Sequence, residues 1–125
     1  MAAKDRQRGK ALELHVGRLF GGRRRRSGEG LEFDDCLAQD GSPLPISIEA
    51  KAYDKLQLRQ AWLDQARRNS HGRDWAVVQR PKGSRTIFAT VDLDFLIRLC
   101  KQAGVIPGEE TYGRAAGACR NRPPA

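Results

Sequence analysis

Glu49, Ala50 and Lys51 stand in the run I-S-I-E-A-K-A-Y, residues 46–53. Apolar Ile46, Ile48, Ala50 and Ala52 alternate with Ser47, Glu49, Lys51 and Tyr53, the two-residue period of a strand. Side chains two apart on a strand share a face, about 6.6–6.8 Å from one another. A carboxylate and an ammonium therefore point the same way. Two more carboxylates can join them. Asp35 precedes this strand and falls opposite or diagonal to Glu49 if the two segments form a hairpin. Glu13 sits at the edge of the helical row Glu13-Val16-Gly17-Phe20, whose glycine permits close approach to a sheet. Oxygen donors of this kind suit Mg²⁺, which takes one or two carboxylates with waters and substrate phosphate in octahedral coordination. Glu13, Asp35, Glu49 and the Ala50 carbonyl are the candidate ligands. A bound ion would polarise a phosphoryl oxygen and acidify a water. Lys51 would orient that water and offset charge developing on the phosphate. Taken singly, each feature has a plainer reading. Glu-x-Lys on a strand is surface decoration, and Glu13 is a boundary residue. Gln65, in row with Leu58 and Trp62 on a second helix, is a boundary amide, and His15 and His71 are surface residues. The features gain weight because one geometry would use them together.

Charge names a partner class. The 125-residue chain carries a net charge of +8, and residues 1–26 hold nine basic side chains against Asp5 and Glu13. Such a basic end suits a polyanion, nucleic acid first. Arg8, Lys10 and the run Arg23, Arg24, Arg25, Arg26 are the candidate phosphate contacts. With 39% hydrophobic and 30% charged residues, the chain reads as one soluble, globular domain without a membrane span, by default cytoplasmic. Cys36, Cys100 and Cys119 lack metal-ligand spacing and read as reduced thiols.

The elements that must position these groups follow from periodicity. Residues 5–20 read as a helix with Leu12, Val16, Leu19 and Phe20 on one stripe, ended by Gly21-Gly22. RRRRSGEG is a charged loop. Residues 33–38 form a strand, Asp40-Gly41-Ser42-Pro43 a turn, and residues 46–53 the returning strand of an antiparallel hairpin. Residues 56–69 give a second helix, with Leu58, Ala61, Trp62 and Gln65 on one stripe, then residues 75–80 and 86–91 two strands. Residues 95–103 form a last helix, capped by Asp92 or Asp94. The order is α-β-β-α-β-β-α: an α/β fold whose crossover helix makes part of the sheet parallel. Residues 107–125 lack periodicity and read as a flexible tail after a domain of residues 1–106.

The order of Glu13, Asp35 and Glu49-Ala50-Lys51 resembles the PD-(D/E)xK nuclease superfamily. From Gly9 to about Gly104 the chain is similar to the archaeal and phage type of Holliday junction resolvase. GKALELHVGRLFGG, RRRRSG, DDCLAQ, SIEAK, LRQAWLDQA and VVQR…ATVDLDFLI carry the likeness. The resemblance implies a restriction-endonuclease-like mixed β-sheet flanked by helices. It also implies Mg²⁺ dependence with Mn²⁺ as a substitute, a homodimer, and hydrolysis of branched DNA that leaves a 5′-phosphate. It implies metal ligation by Glu13, Asp35 and Glu49, catalysis by Lys51, and roles near the site for Ser27 and Gln65. A prokaryotic or phage origin and work at the nucleoid go with it. Where the family often writes Pro-Asp, this chain has Asp34-Asp35, and Asp35 matches better because Cys36-Leu37-Ala38 follows it. Asp34 would face the other way. Two other functions stay open: a repair or restriction-type nuclease of the same superfamily, and a non-catalytic basic nucleic-acid-binding protein.

Overall fold

The computed structural model describes residues 3–29 and 34–108. They divide between two compact units, Met1–Val91 and Asp92–Ala125.

The first unit opens with helix α1, Ala3–Leu19. Leu12 and Val16, one turn apart, are buried as their spacing predicts. Leu19 and Phe20 are not: they are 66% and 43% exposed. The helix ends at Leu19 and the chain turns at Gly21 (φ 76°), so the stripe runs out before these two residues reach the core. The turn returns the chain against its own helix. A Cβ at Gly17 would stand 2.8 Å from the backbone carbon of Arg23, and one at Gly22 only 2.1 Å from the Leu37 carbonyl oxygen. Both glycines are there for close backbone approach.

The arginine run is not a plain loop. Arg23–Arg24 is a short strand, β1, paired antiparallel with β2, Cys36–Leu37. Phe33, the expected start of that second strand, lies outside the described residues. The chain turns at Asp40-Gly41-Ser42, where Asp40 accepts from the Ser42 amide (2.9 Å) and hydroxyl (2.6 Å). The antiparallel hairpin expected between this strand and residues 46–53 does not form, because β2 spends its pairing on β1. Leu37 bridges Pro43. Strand β3, Ile46–Lys51, then pairs with a different partner. Beyond helix α2, Gln60–Asn69, strand β4, Asp74–Gln79, runs parallel to β3, and β5, Phe88–Val91, runs antiparallel to β4. The crossover helix thus gives the parallel pair that was expected.

Alternation divides β3 and β4 between two cores. Ile48, Ala76 and Val78 pack with Leu12 and Val16 of α1. Trp75 and Val77 pack with Ala66 and Leu63 of α2. The apolar run of β4 is buried on both faces, as strands between two helical layers are.

Helix α2 starts four residues later than periodicity suggests. Leu56 and Leu58 are 52% and 74% exposed, and the buried side of the helix is that of Leu63 and Ala66. The cause is a side chain from β4. Gln79 accepts from the Gln57 amide (3.0 Å) and donates to the Gln57 carbonyl (2.8 Å). Those two backbone groups are spent on an extended pairing before a helical turn can use them.

The second unit contains helix α3, Leu93–Gln102. It begins two residues earlier than expected, and of the two candidate caps Asp92 holds the position, accepting from the Asp94 amide at 2.9 Å. Gly104 closes it with a φ of 75°. Most of the expected tail, residues 109–125 with Cys119, lies outside the described residues. Among the described residues no helix is long and apolar enough to cross a membrane.

Candidate active site

Asp34 and Asp35 enter β2 facing opposite ways, as strand alternation requires. The Asp34 carboxylate is buried. It accepts from Ser47 Oγ at 2.8 Å, and Arg73 Nη2 donates to both of its oxygens, at 2.9 and 2.8 Å. Arg73 also donates to the carbonyls of Leu44 and Ser70, so its guanidinium is consumed by the fold.

Asp35 turns to β3. Its amide donates to the Ile48 carbonyl (3.1 Å), and its Oδ2 accepts from the Ala50 amide (2.7 Å). These two bonds bracket Glu49, so Asp35 lies opposite it. Burial, then the charges of Glu49 and Glu13, push the Asp35 carboxyl up to about 7; the Ala50 N–H and Lys51 only partly offset them. The N–H and C=O of one strand residue leave by the same edge. The Ala50 carbonyl therefore points to the edge of β3 that Asp35 occupies.

Glu49 and Lys51 share the α2 face of β3. Glu49 is 7% exposed, and its Oε1 accepts from Asn69 Nδ2 at 3.2 Å. Burial holds its carboxyl above the ordinary value, with the Asn69 bond and the Lys51 charge pulling the other way. The Lys51 ammonium lies 5.5 Å from the centre of the Trp62 ring.

Glu13 reaches the site from α1 but is engaged there: Arg24 Nε donates to its Oε2 at 2.6 Å. Beside this pair opens a cleft of about 670 Å³, lined by Glu13, Ala50 and Lys51 together with Arg6, Arg8, Lys10, Arg24 and Lys55. Asp35 touches that lining through the Ala50 amide. No protein-family model, curated protein or solved structure matches the chain, so the chemistry rests on these residues alone.

The donor set is all oxygen: the carboxylates of Glu13, Asp35 and Glu49 and the Ala50 carbonyl. That chemistry fits a hard divalent cation such as Mg²⁺. Burial at both Asp35 and Glu49, with like charge nearby, leaves the two carboxylates short of positive charge that such an ion would supply. Among the described residues, no three His, Cys, Asp or Glu side chains are gathered closely enough to hold a metal ion as they stand. Glu13 is drawn to Arg24 and Glu49 to Asn69, and closing around an ion needs those contacts to give way.

The remaining expected residues are placed less closely. Gln65 is half-buried on α2, and the amide that contacts Glu49 belongs to Asn69, one turn further along. Ser27 is exposed in the turn that the Glu29 amide closes onto the Arg26 carbonyl (3.1 Å), away from the cleft lining. Arg23 is spent on a two-pronged pair with Glu29 (2.8 and 2.6 Å), which drives the Glu29 carboxyl down to about 2. Arg25 donates to the Glu29 carbonyl, while Arg26 is exposed. Of the six expected phosphate contacts, Arg8, Lys10 and Arg24 line the cleft.

Two contributors were missed. Asn69 continues the helical row of Leu58, Trp62 and Gln65, so extending that row one turn would have found it. Arg73, 39 residues from Asp34, gives no such signal.

Proposed function

We propose that the chain is a Mg²⁺-dependent, structure-specific DNA endonuclease with a restriction-endonuclease-like fold, cutting branched DNA and four-way junctions in particular. One observation carries this: Asp35 lies opposite Glu49 where the chain entering β2 meets β3, with Lys51 two residues on and a basic cleft lined by Glu13, Ala50 and Lys51 beside them. The parallel β3–β4 pair, cored on both faces, supports the likeness to the PD-(D/E)xK nucleases.

Asp35, Glu49 and the Ala50 carbonyl would hold the ion, and Glu13 would join them on leaving Arg24. When bound, the ion would polarise a phosphoryl oxygen and make a hydroxide available near neutral pH. Arg24, released from Glu13, gains a phosphate in its place, so substrate arrival and ligand release are one exchange. Lys51 would align the water for in-line attack on phosphorus, which breaks the bond to the 3′ oxygen and leaves a 5′-phosphate. Asn69 orients the Glu49 carboxylate. A homodimer belongs to the same proposal, because two symmetric cuts need two sites. So does a cytoplasmic, nucleoid-associated place of action in a prokaryotic or phage-infected cell.

A non-catalytic nucleic-acid-binding protein is favoured by one observation: Glu13 is held in a salt bridge by Arg24, as in a purely structural pair. Cleavage assays separate the two. A labelled four-way junction and a linear duplex are incubated with Mg²⁺, with Mn²⁺ and with EDTA. Junction cutting in either metal, absent in EDTA and weak on the duplex, is the expected result. Equal cutting of both DNAs would mean a repair or restriction-type nuclease, and binding without cutting a non-catalytic protein.

A further inference from the structure

Tyr53 stands two residues beyond Lys51, 40% exposed. One face of its ring is covered by Trp62 of α2, with ring centroids 5.1 Å apart and planes 25° from parallel. Trp62 is backed in turn by cations: the Arg59 guanidinium carbon at 5.0 Å from the ring centre and Lys51 Nζ at 5.5 Å. The segment that carries Tyr53 is tied down at three points. Arg8 pairs with Asp54 at 2.9 Å, the Lys82 amide donates to the Asp54 carbonyl at 3.2 Å, and Gln79 grips both backbone groups of Gln57. A tyrosine on a slack surface loop would be decoration. This one is a rigid aromatic step, and it lines the same cleft as Arg8, Lys10, Arg24 and Lys51.

Basic side chains along a groove follow a phosphate backbone, and an aromatic face beside them stacks a base that has left its helix. A paired base offers no free face. We propose that Tyr53 is a stacking platform for an unpaired nucleobase, so that the cleft selects single-stranded or splayed nucleotides next to the cutting position. This rests on the nucleic-acid part of the proposed function and names what the cleft prefers within it. The aromatic pair does the selecting; the arginines and lysines bind any strand. Holding the ring over Trp62 also lowers the ordering cost of binding, because the platform is already in place.

The test is a binding measurement in EDTA, independent of cutting. Fluorescence anisotropy gives affinities for a short single strand and for a continuous duplex of the same length. A 2-aminopurine in the single strand reports stacking. Tyr53→Leu keeps an apolar cover on Trp62 but removes the flat face; Tyr53→Phe keeps the face. The expected result is a loss of roughly 5- to 100-fold in single-strand affinity for Tyr53→Leu, with duplex affinity unchanged. Tyr53→Phe should match wild type, and 2-aminopurine should be quenched by wild type and Tyr53→Phe alone. Equal loss on both DNAs, no loss on either, or a Tyr53→Phe as weak as Tyr53→Leu overturns the platform. If wild type binds neither DNA, the nucleic-acid reading fails with it; if wild type binds both and Tyr53→Leu changes nothing, only the platform fails.

Discussion

At Asp34 a buried carboxylate is matched: Arg73 grips both of its oxygens and Ser47 donates to one. One residue on, Asp35 is pushed up to about 7, by burial first and then by the charges of Glu49 and Glu13, with the Ala50 amide and Lys51 only partly offsetting them. The two carboxylates are neighbours in the extended chain that leads into β2, and differ in the side of the chain they take. The difference separates two uses of buried charge. Around Asp34 the fold supplies every counterpart and gains a fixed geometry. Around Asp35 the fold supplies too few counterparts, and the deficit is what a cation would fill.

Removing the counterpart at the first site should have the largest effect. Arg73→Leu leaves Asp34 buried without its cation and should cost about 3–5 kcal/mol in urea unfolding, the usual penalty for breaking a buried pair from one side. A destabilisation as small as that of a surface pair would mean that the Asp34 pocket is wet, and the contrast would weaken.

At the second site the sign reverses. The folded Asp35 holds its proton up to about 7, against 3.8 for the ordinary carboxyl. Between those values the native state binds more protons than the unfolded chain, so its contribution is fully present below pH 3.8 and is lost as pH rises through 7. Asp35→Asn should therefore stabilise the protein at pH 8, by up to about 4 kcal/mol, and flatten the fall in stability between pH 4 and 7. Thermal or urea unfolding across that range checks both. A destabilised Asp35→Asn at pH 8 would mean that the site is not short of positive charge.

Mg²⁺ sharpens the same contrast more gently. At about a hundredfold over its dissociation constant, an ion bound only to the native state adds about 2.7 kcal/mol. Wild type should gain this in thermal unfolding and Asp35→Asn should lose most of it. Asp34→Asn, though less stable, should keep it. The reverse assignment would make Asp34 the ligand.

The smallest expected change lies in the arginine run. Arg26 is exposed, whereas Arg23 is occupied by Glu29. Arg26→Ala should lower the salt slope of DNA binding by about one unit for each phosphate that is no longer neutralised. An unchanged slope would mean that Arg26 touches no phosphate.

How much of this was legible follows from the range of each interaction. Glu49 and Lys51 share a face because of strand period alone, and Asp35 was set apart from Asp34 by the same alternation. The parallel β3–β4 pair follows from a helical crossover between strands. Interactions between distant side chains were not legible. Nothing near Asp34 announces Arg73, nothing in RRRRSGEG says that Glu29 will occupy Arg23, and the Gln79 grip on Gln57 delays α2 from 22 residues away. Gln65 and Asn69 fall between these cases: the row was legible, but the turn of the helix that meets Glu49 depends on where α2 begins.

Cleavage of a labelled four-way junction in Mg²⁺, by wild type and by Glu49→Gln, tests the central claim most directly. The variant keeps the side-chain shape and removes the charge. Wild type should cut and leave a 5′-phosphate, and Glu49→Gln should still bind the junction while its cutting falls by roughly two orders of magnitude or more. A wild type that binds but never cuts, or a Glu49→Gln that cuts as fast as wild type, would contradict the assignment of this site.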